Sequence, residues 1–257
     1  MKRITILCCT ALLLTGGCTT KEPTAKEKQT PTKTTKKEAP EPEVKAIEYR
    51  DPPASAKTPA ESIIHQMIVH FKNGEKKKPT KADIISEATI GRQSILTIHS
   101  PEGKNNYAFF YYEKKKKTNT WEISYIIRQR MGPRPKDMWD SNEEGLQLPM
   151  KTFDKLEADV NKDAHLWTLG DTKNNIVSIF TFKRSGAITD PAKEIVLKSK
   201  KQEAYLSVDT FNNPFLFYFD SGKVVMLSGN LSKEQLVHLA DGLPSVHSSY
   251  FPRSPKS

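Results

Sequence analysis

Short runs of β-branched and aromatic residues, separated by turn-forming residues, constrain this chain more than any other feature. Four lie at Ile84–Ile90, Ser94–His99, Tyr107–Glu113 and Trp121–Arg130, and six more at Ala164–Leu169, Ile176–Lys183, Glu194–Lys198, Ala204–Asp209, Phe215–Phe219 and Val224–Ser228. Runs of this length and composition read as strands. Their connections are mostly too short for parallel crossovers, which predicts antiparallel meanders. Asp220-Ser221-Gly222-Lys223 is a tight hairpin signal between the last two runs. Phe109-Phe110-Tyr111-Tyr112 and Phe215-Leu216-Phe217-Tyr218-Phe219 place aromatics on both faces of a strand. One face must be core. The other is either covered by a helix or open as an apolar groove for a lipid or peptide.

Helix signals are fewer. Thr58-Pro59-Ala60-Glu61 has capping-box spacing with proline at the first helical position. Ile63, Ile64, Met67, Ile68 and Phe71 follow at helical spacing, and Asn73-Gly74 stops the run. Thr152 is expected to cap a short helix containing Phe153, Leu156 and Val160. Ser232-Lys233-Glu234-Gln235 opens a helix carrying Leu236, Val237, Leu239 and Ala240, ended by Gly242 and Pro244. Residues 132–150 lack a pattern and hold an internal boundary. The predicted fold is α+β: antiparallel curved sheets with helices packed on one face. It comprises a helix-plus-meander subdomain at 61–131, a linker at 132–150, and a second strand-and-helix part at 151–251, forming either one large domain or two small ones. Both halves begin with a helix and continue as a meander, but no residue-level repeat is apparent.

The N-terminus has another character. Met1-Lys2-Arg3 precedes an apolar run from Ile4 to Leu14, then Thr15-Gly16-Gly17-Cys18. A basic start, a short apolar stretch and small residues form a secretory signal. The run is too short for a membrane span, which needs about 20 apolar residues. The small pair followed by cysteine resembles a bacterial lipobox. One departure is that Leu14 sits one place further from the cysteine than the usual leucine, with Thr15 in its slot. The resemblance implies cleavage between Gly17 and Cys18, removal of residues 1–17, and a diacylglyceryl thioether on Cys18. Two acyl chains meet the requirement for stable anchoring. The other cysteines, Cys8 and Cys9, lie within the signal. The remainder then has no disulfide, cysteine nucleophile or cysteine-ligated metal.

Residues 19–60 carry 8 Thr, 8 Lys, 6 Glu and 7 of the 17 Pro of the chain. Such a segment cannot bury enough apolar surface to offset its ordering entropy, so residues 18–60 are predicted to be a lipidated, disordered tether.

Phe215 to Leu243 runs apolar strand, Asp-Ser-Gly hairpin, apolar strand, Leu-Ser-Gly-Asn-Leu-Ser-Lys-Glu-Gln-Leu, then Leu-Ala-Asp-Gly-Leu. This resembles the closing unit of the uncharacterised, lipoprotein-carrier-like domain of Gram-positive envelope lipoproteins and anti-sigma-factor-like proteins. Those domains usually carry Trp in the first strand, where this chain has Phe or Tyr. The resemblance covers about 30 residues of 257. It implies a non-catalytic domain that binds through its sheet or hairpin face, and it supplies no catalytic residues.

The formal charge is +10. Basic runs lie at Lys76-Lys77-Lys78, at Lys114-Lys115-Lys116-Lys117, and at Lys198 with Lys200 and Lys201. They are candidate contacts for phosphate-rich wall polymers or acidic headgroups, worth about 1 kcal/mol per basic residue near such a surface. Solvated loop lysines that serve solubility are the competing reading. Nucleic acid is not expected, because no binding module accompanies the lysines.

The six histidines lack ligand spacing, since His65 and His70 are five apart and His99, His165, His238 and His247 are scattered. Neither a metal nor a cofactor is expected. Asp137, Asp140, Glu143 and Glu144 beside Trp139 are the only cluster reminiscent of paired glycosidase carboxylates. No Gly-x-Ser-x-Gly or Ser-x-x-Lys context offers a nucleophile. The expectation is a lipid-anchored protein on the extracytoplasmic face of a cell membrane, suited to a Gram-positive outer leaflet. It would bind an anionic envelope polymer or envelope protein without catalysis. A carrier or sensor of an apolar ligand and a wall-active hydrolase are the alternatives.

Overall fold

The computed structural model describes residues 41–132, 138–184, 188 and 192–254. Residues 1–40, with the expected signal segment and Cys18, lie outside them. Residues 41–60, expected in the tether, are ordered in part as strand β1 (Val44–Tyr49). Its partner is β2 (Met67–Phe71), the second half of the run expected to be one helix. Helix α1 (Pro59–Gln66) is capped as expected, with the Thr58 side chain accepting from the Glu61 N–H at 3.1 Å, but it stops before Met67. Met-Ile-Val-His-Phe has the β-branched centre of a strand. Once Val44–Tyr49 supplies a ladder, Met67, Val69 and Phe71 can bury one face together. Local spacing cannot reveal that distant partner. The two-residue β3 (Lys76–Lys77) completes this three-stranded antiparallel sheet.

The meander follows as predicted: β4 (Ile84–Ile90), β5 (Gln93–His99), β6 (Asn106–Lys114) and β7 (Trp121–Arg130), paired in sequence order. After the short β8 (Trp139–Asp140) comes a correction. Thr152–Asn161 is strand β9, not a helix. Leu156, Ala158 and Val160 alternate as well as Phe153, Leu156 and Val160 fit a helix, and β10 (Ala164–Gly170) supplies the ladder. Then follow β11 (Ile176–Lys183), β12 (Lys193–Leu197), β13 (Gln202–Val208), β14 (Pro214–Asp220), β15 (Lys223–Gly229) and helix α2 (Lys233–Gly242). All strand pairs are antiparallel, in the order β12-β13-β14-β15-β11-β10-β9-β8. Ser221 and Gly222 both have positive φ (53° and 81°) in the β14–β15 turn, as a two-residue primed turn requires.

The described residues from Glu41 onward form one compact unit, in which the two main sheets share a core. Tyr107, Phe109 and Tyr111 of β6 pack in one cluster with Leu166, Phe180, Phe217 and Met226 of the larger sheet. The opposite faces are also covered. Phe110 and Tyr112 meet α1 and β2 through Ile63, Met67 and Val69. Leu216 and Tyr218 meet α2 through Leu236, Leu239 and Ala240. Each helix therefore covers the outer face of a different sheet. The aromatics on both strand faces are core.

Two loops carry a residue-level repeat that the sequence pattern had not disclosed. Asp171-Thr-Lys-Asn-Asn175 joins β10 to β11, and Asp209-Thr-Phe-Asn-Asn213 joins β13 to β14. In both, Oδ1 of the aspartate accepts N–H groups two and four residues on. The fourth residue of each loop, Asn174 or Asn212, takes positive φ (66° and 65°). The loops also tie the two main sheets. Asn174 Oδ1 accepts from the Tyr107 hydroxyl at 2.5 Å, and Asp209 Oδ2 accepts from the Glu87 N–H at 3.0 Å.

Glu87 is 6% exposed. Its carboxylate accepts from the Ala60 N–H of α1 at 2.9 Å and from the Thr89 hydroxyl at 3.2 Å. Burial, reinforced by nearby Asp209, raises its pKa, although the Ala60 and Thr89 bonds oppose that rise. Glu87→Ala leaves these donors unpaired and is expected to cost about 1–3 kcal/mol in chemical denaturation. Glu87→Gln, which keeps an acceptor, is expected to cost less. A raised carboxyl pKa means that the native state takes up this proton before the unfolded chain does. Wild type should therefore gain stability relative to Glu87→Gln as pH falls through the carboxylate range.

Candidate functional site

The three basic runs fall on three separate elements. Lys76 and Lys77 form β3 and Lys78 follows it, all exposed. Lys77 lies 3.4 Å from Glu75 and its ammonium sits 5.2 Å from the Phe71 ring centroid. Lys114 ends β6 with its ammonium 5.5 Å from the Trp121 ring centroid. Lys115 pairs with Glu122 at 3.6 Å, while Lys116 and Lys117 are exposed in the turn. These runs line no common cavity among those described.

The third run divides. Lys200 is half-buried: its ammonium donates to the Tyr218 hydroxyl at 3.3 Å and lies 4.6 Å from the ring centroid. Burial brings its pKa down to about 8, against the opposing pull of Asp220 and Asp241. Lys200 is thus a packing lysine, not a free anion contact. Burial works to raise Asp220, but the Ser221 hydroxyl, the Val246 N–H, the Ser245 hydroxyl and Lys200 together hold it below its ordinary value. Lys201, at positive φ (51°), is exposed at the turn.

Lys198 has a different setting. It lines a groove of about 480 Å³ with Lys193, Val196, Leu206, Lys233, Glu234, Val237, His238 and Asp241. The groove lies between α2 and the outermost strands of the eight-stranded sheet. Leu206 and Val237 contribute apolar surface, and both are partly buried against the cluster beneath α2. Its walls are fixed, because Asp241 of α2 accepts from both the N–H and the hydroxyl of Ser199, each at 2.8 Å. Among the described residues, Lys193, Lys198 and Lys233 make no ion pair. Lys233 stands in the first turn of α2, where the helix dipole disfavours a cation. The two acidic residues are held internally: Asp241 by Ser199, and Glu234 by the Ser232 hydroxyl at 2.9 Å. The groove therefore sets three lysines and two carboxylates beside an apolar floor. The backbone N–H of Glu234 and the Ser232 hydroxyl, with the Lys233 charge helping, hold Glu234 below its ordinary value. Sequence reading nominated Lys198 alone. Lys193 and Lys233 lie 40 residues apart in a chain of 257 and form no run.

Several of the other candidates are held by neighbouring groups. Asp140 Oδ1 accepts from the N–H groups of Asn142 and Glu143, forming a turn. Glu144 is buried and ion-paired with Arg253 at 2.7 Å, while Trp139 has the Lys155 ammonium 4.1 Å and the Arg253 guanidinium 4.9 Å from its ring centroid. Asp137 lies outside the described residues. His70 meets Glu48 at 2.9 Å and His165 meets Asp159 at 2.6 Å. No cluster of three metal-ligating side chains occurs among the described residues. No family model matches the chain, and comparison with curated proteins and with solved structures finds no match.

Lys200 yields a prediction about pH. Its folded pKa of about 8 lies below its ordinary value of 10.5, so the unfolded chain holds more protons between those values. Stability should rise in that window, whereas well below pH 8 the full cost of burying the charged amine is present and does not vary with pH. Lys200→Met keeps the apolar stem and removes the titration. The denaturation midpoint of wild type should climb relative to this variant from about pH 8 to about pH 10.5.

Proposed function

We propose that this chain is a lipid-anchored binding module on the extracytoplasmic face of a bacterial membrane. It presents the groove between α2 and the sheet edge to an anionic envelope partner and carries out no catalysis of its own. The observation that carries the binding reading is the groove itself: three lysines without ion pairs among the described residues, around an apolar floor whose walls are braced by Ser199 and Asp241. Binding needs such a preformed surface; catalysis would need activated groups that converge on one point. The Asp140 carboxylate is engaged in a turn and that of Glu144 in the Arg253 pair. Burial of Phe109–Tyr112 and Phe215–Tyr218 between layers, with Phe219 half-buried, supports this reading over an apolar carrier.

The anchor is argued from Cys18 and its flanking residues. No helix among the described residues is long and apolar enough to cross a membrane. The third basic run supports anionic contact through Lys198 and, by exposure, Lys201; Lys200 is withdrawn from it by its contact with Tyr218.

Two measurements test this reading. Intact-mass analysis of membrane-fraction protein should find Cys18 as a diacylglyceryl-modified N-terminus, with both cleavage and lipid lost in Cys18→Ala. An unlipidated chain cut elsewhere would remove the anchor. Separately, the Cys18→Ala protein should bind fluorescent inorganic polyphosphate in a salt-sensitive manner. Replacing Lys193, Lys198 and Lys233 together by Ala should weaken that binding about tenfold or more, and replacing Lys114 to Lys117 should weaken it less. Equal loss from the two sets would make the contact diffuse and dismiss the groove.

A further inference from the structure

We propose that β12 accepts an extended segment of a partner protein as an added strand, and that this segment alternates acidic and β-branched residues. The inference deepens the binding-module reading and rests on it.

β12 is the terminal strand of the eight-stranded sheet and pairs with β13 alone among the described strands. In an antiparallel ladder, alternate N–H and C=O groups of such a strand point away from its partner. They form a template for a further strand. β12 also lines the groove, through Lys193 and Val196, with Lys198 just beyond its end.

Register assigns the faces. Lys193, Ile195 and Leu197 stand opposite Leu206, Ala204 and Gln202. Ile195 and Leu197 pack in the cluster beneath α2, so Lys193 shares that side with Lys233 and Val237. Glu194 and Val196 alternate to the other face of the strand, and Val196 reaches the groove from its rim. Val196 is 58% exposed, the most exposed of the large apolar side chains described.

An added strand alternates in the same manner. Its residues on the α2 side would meet Lys193 and Lys233, which select carboxylates. Those on the far side would lie beside Val196, which selects a β-branched apolar side chain, and beside Glu194, which repels acid. A second copy of this chain fits poorly. Antiparallel self-pairing about Ile195 sets Lys193 against Leu197 and Glu194 against Val196, and brings two sets of groove lysines to one face. Polymeric phosphate would satisfy the lysines but leave Val196 and the edge hydrogen bonds unused.

The test uses the full mature chain, lipidated and held in detergent micelles. The probe is a fluorescent, end-blocked Val-Glu-Val-Glu-Val-Glu-Val peptide. A peptide of the same composition in block order, Val-Val-Val-Val-Glu-Glu-Glu, and inorganic polyphosphate serve as comparisons. The alternating peptide should bind and should slow amide hydrogen exchange in residues 193–197. It should bind about tenfold or more tightly than the block peptide. Lys193→Glu with Lys233→Glu, and separately Val196→Asp, should each weaken it about tenfold or more. All three positions are exposed, and circular dichroism checks that the variants fold. The charge-reversed variant should instead favour a Val-Lys alternating peptide.

Equal binding of alternating and block peptides, or binding without protection of residues 193–197, overturns strand addition. If polyphosphate binds through the groove lysines while the alternating peptide does not, strand addition fails and the anionic-partner reading stands. If neither probe binds, both readings fail. The lysines would then act only as edge charges that prevent association.

Discussion

The structure depends on sheets that are apolar on both faces. Tyr107, Phe109 and Tyr111 leave β6 toward the eight-stranded sheet, while Phe110 and Tyr112 leave it toward α1 and β2. β14 does the same with Phe215 and Phe217 on one side, Leu216 and Tyr218 on the other. A fully buried large apolar side chain contributes about 1.5–3 kcal/mol, so neither face can be left in water. The sheets must pack on each other, and each needs a further cover. The short helices provide much of that cover: α1 has eight residues and α2 has ten, lengths that are marginal without tertiary support. No disulfide joins the described residues, because every cysteine lies at or before position 18.

Polar groups between the layers have specific work. Glu87 takes the Ala60 N–H of α1, and its own N–H is taken by Asp209 of the β13–β14 loop. Asn174 takes the Tyr107 hydroxyl. The duplicated Asp-Thr-x-Asn-Asn loops thus close their own hairpins and also fasten one sheet to the other. Burying a carboxylate such as Glu87 is unfavourable in itself, and it is tolerated here because the site supplies donors.

The same logic sets the candidate groove. α2 covers the inner strands of the large sheet but leaves the outer edge at β12 with lysines, a half-covered Leu206 and an exposed Val196. Ser199 and Asp241 hold the β12–β13 turn against the end of α2. Lys200 belongs to this brace through Tyr218, which explains why one member of the third basic run is withdrawn from solvent.

Local features were legible in the sequence. The ten strand runs appear as strands, with Thr58 and Ser232 as helix caps and Asp220–Lys223 as a tight turn, because capping, turn geometry and β-branched packing act within a few residues. Whether Met67–Phe71 and Thr152–Asn161 were helix or strand was decided only by the ladders from Val44–Tyr49 and Ala164–Gly170. Their apolar spacing suits both periods, and the deciding hydrogen bonds come from outside the segment. The joining of two meanders into one core was likewise tertiary, since sheet-to-sheet burial leaves no local signal. So was the site. Lysine runs mark charge along the chain, but a groove needs charge in space, and only the pairing of β12 with β13 and the placement of α2 bring Lys193, Lys198 and Lys233 around one cavity.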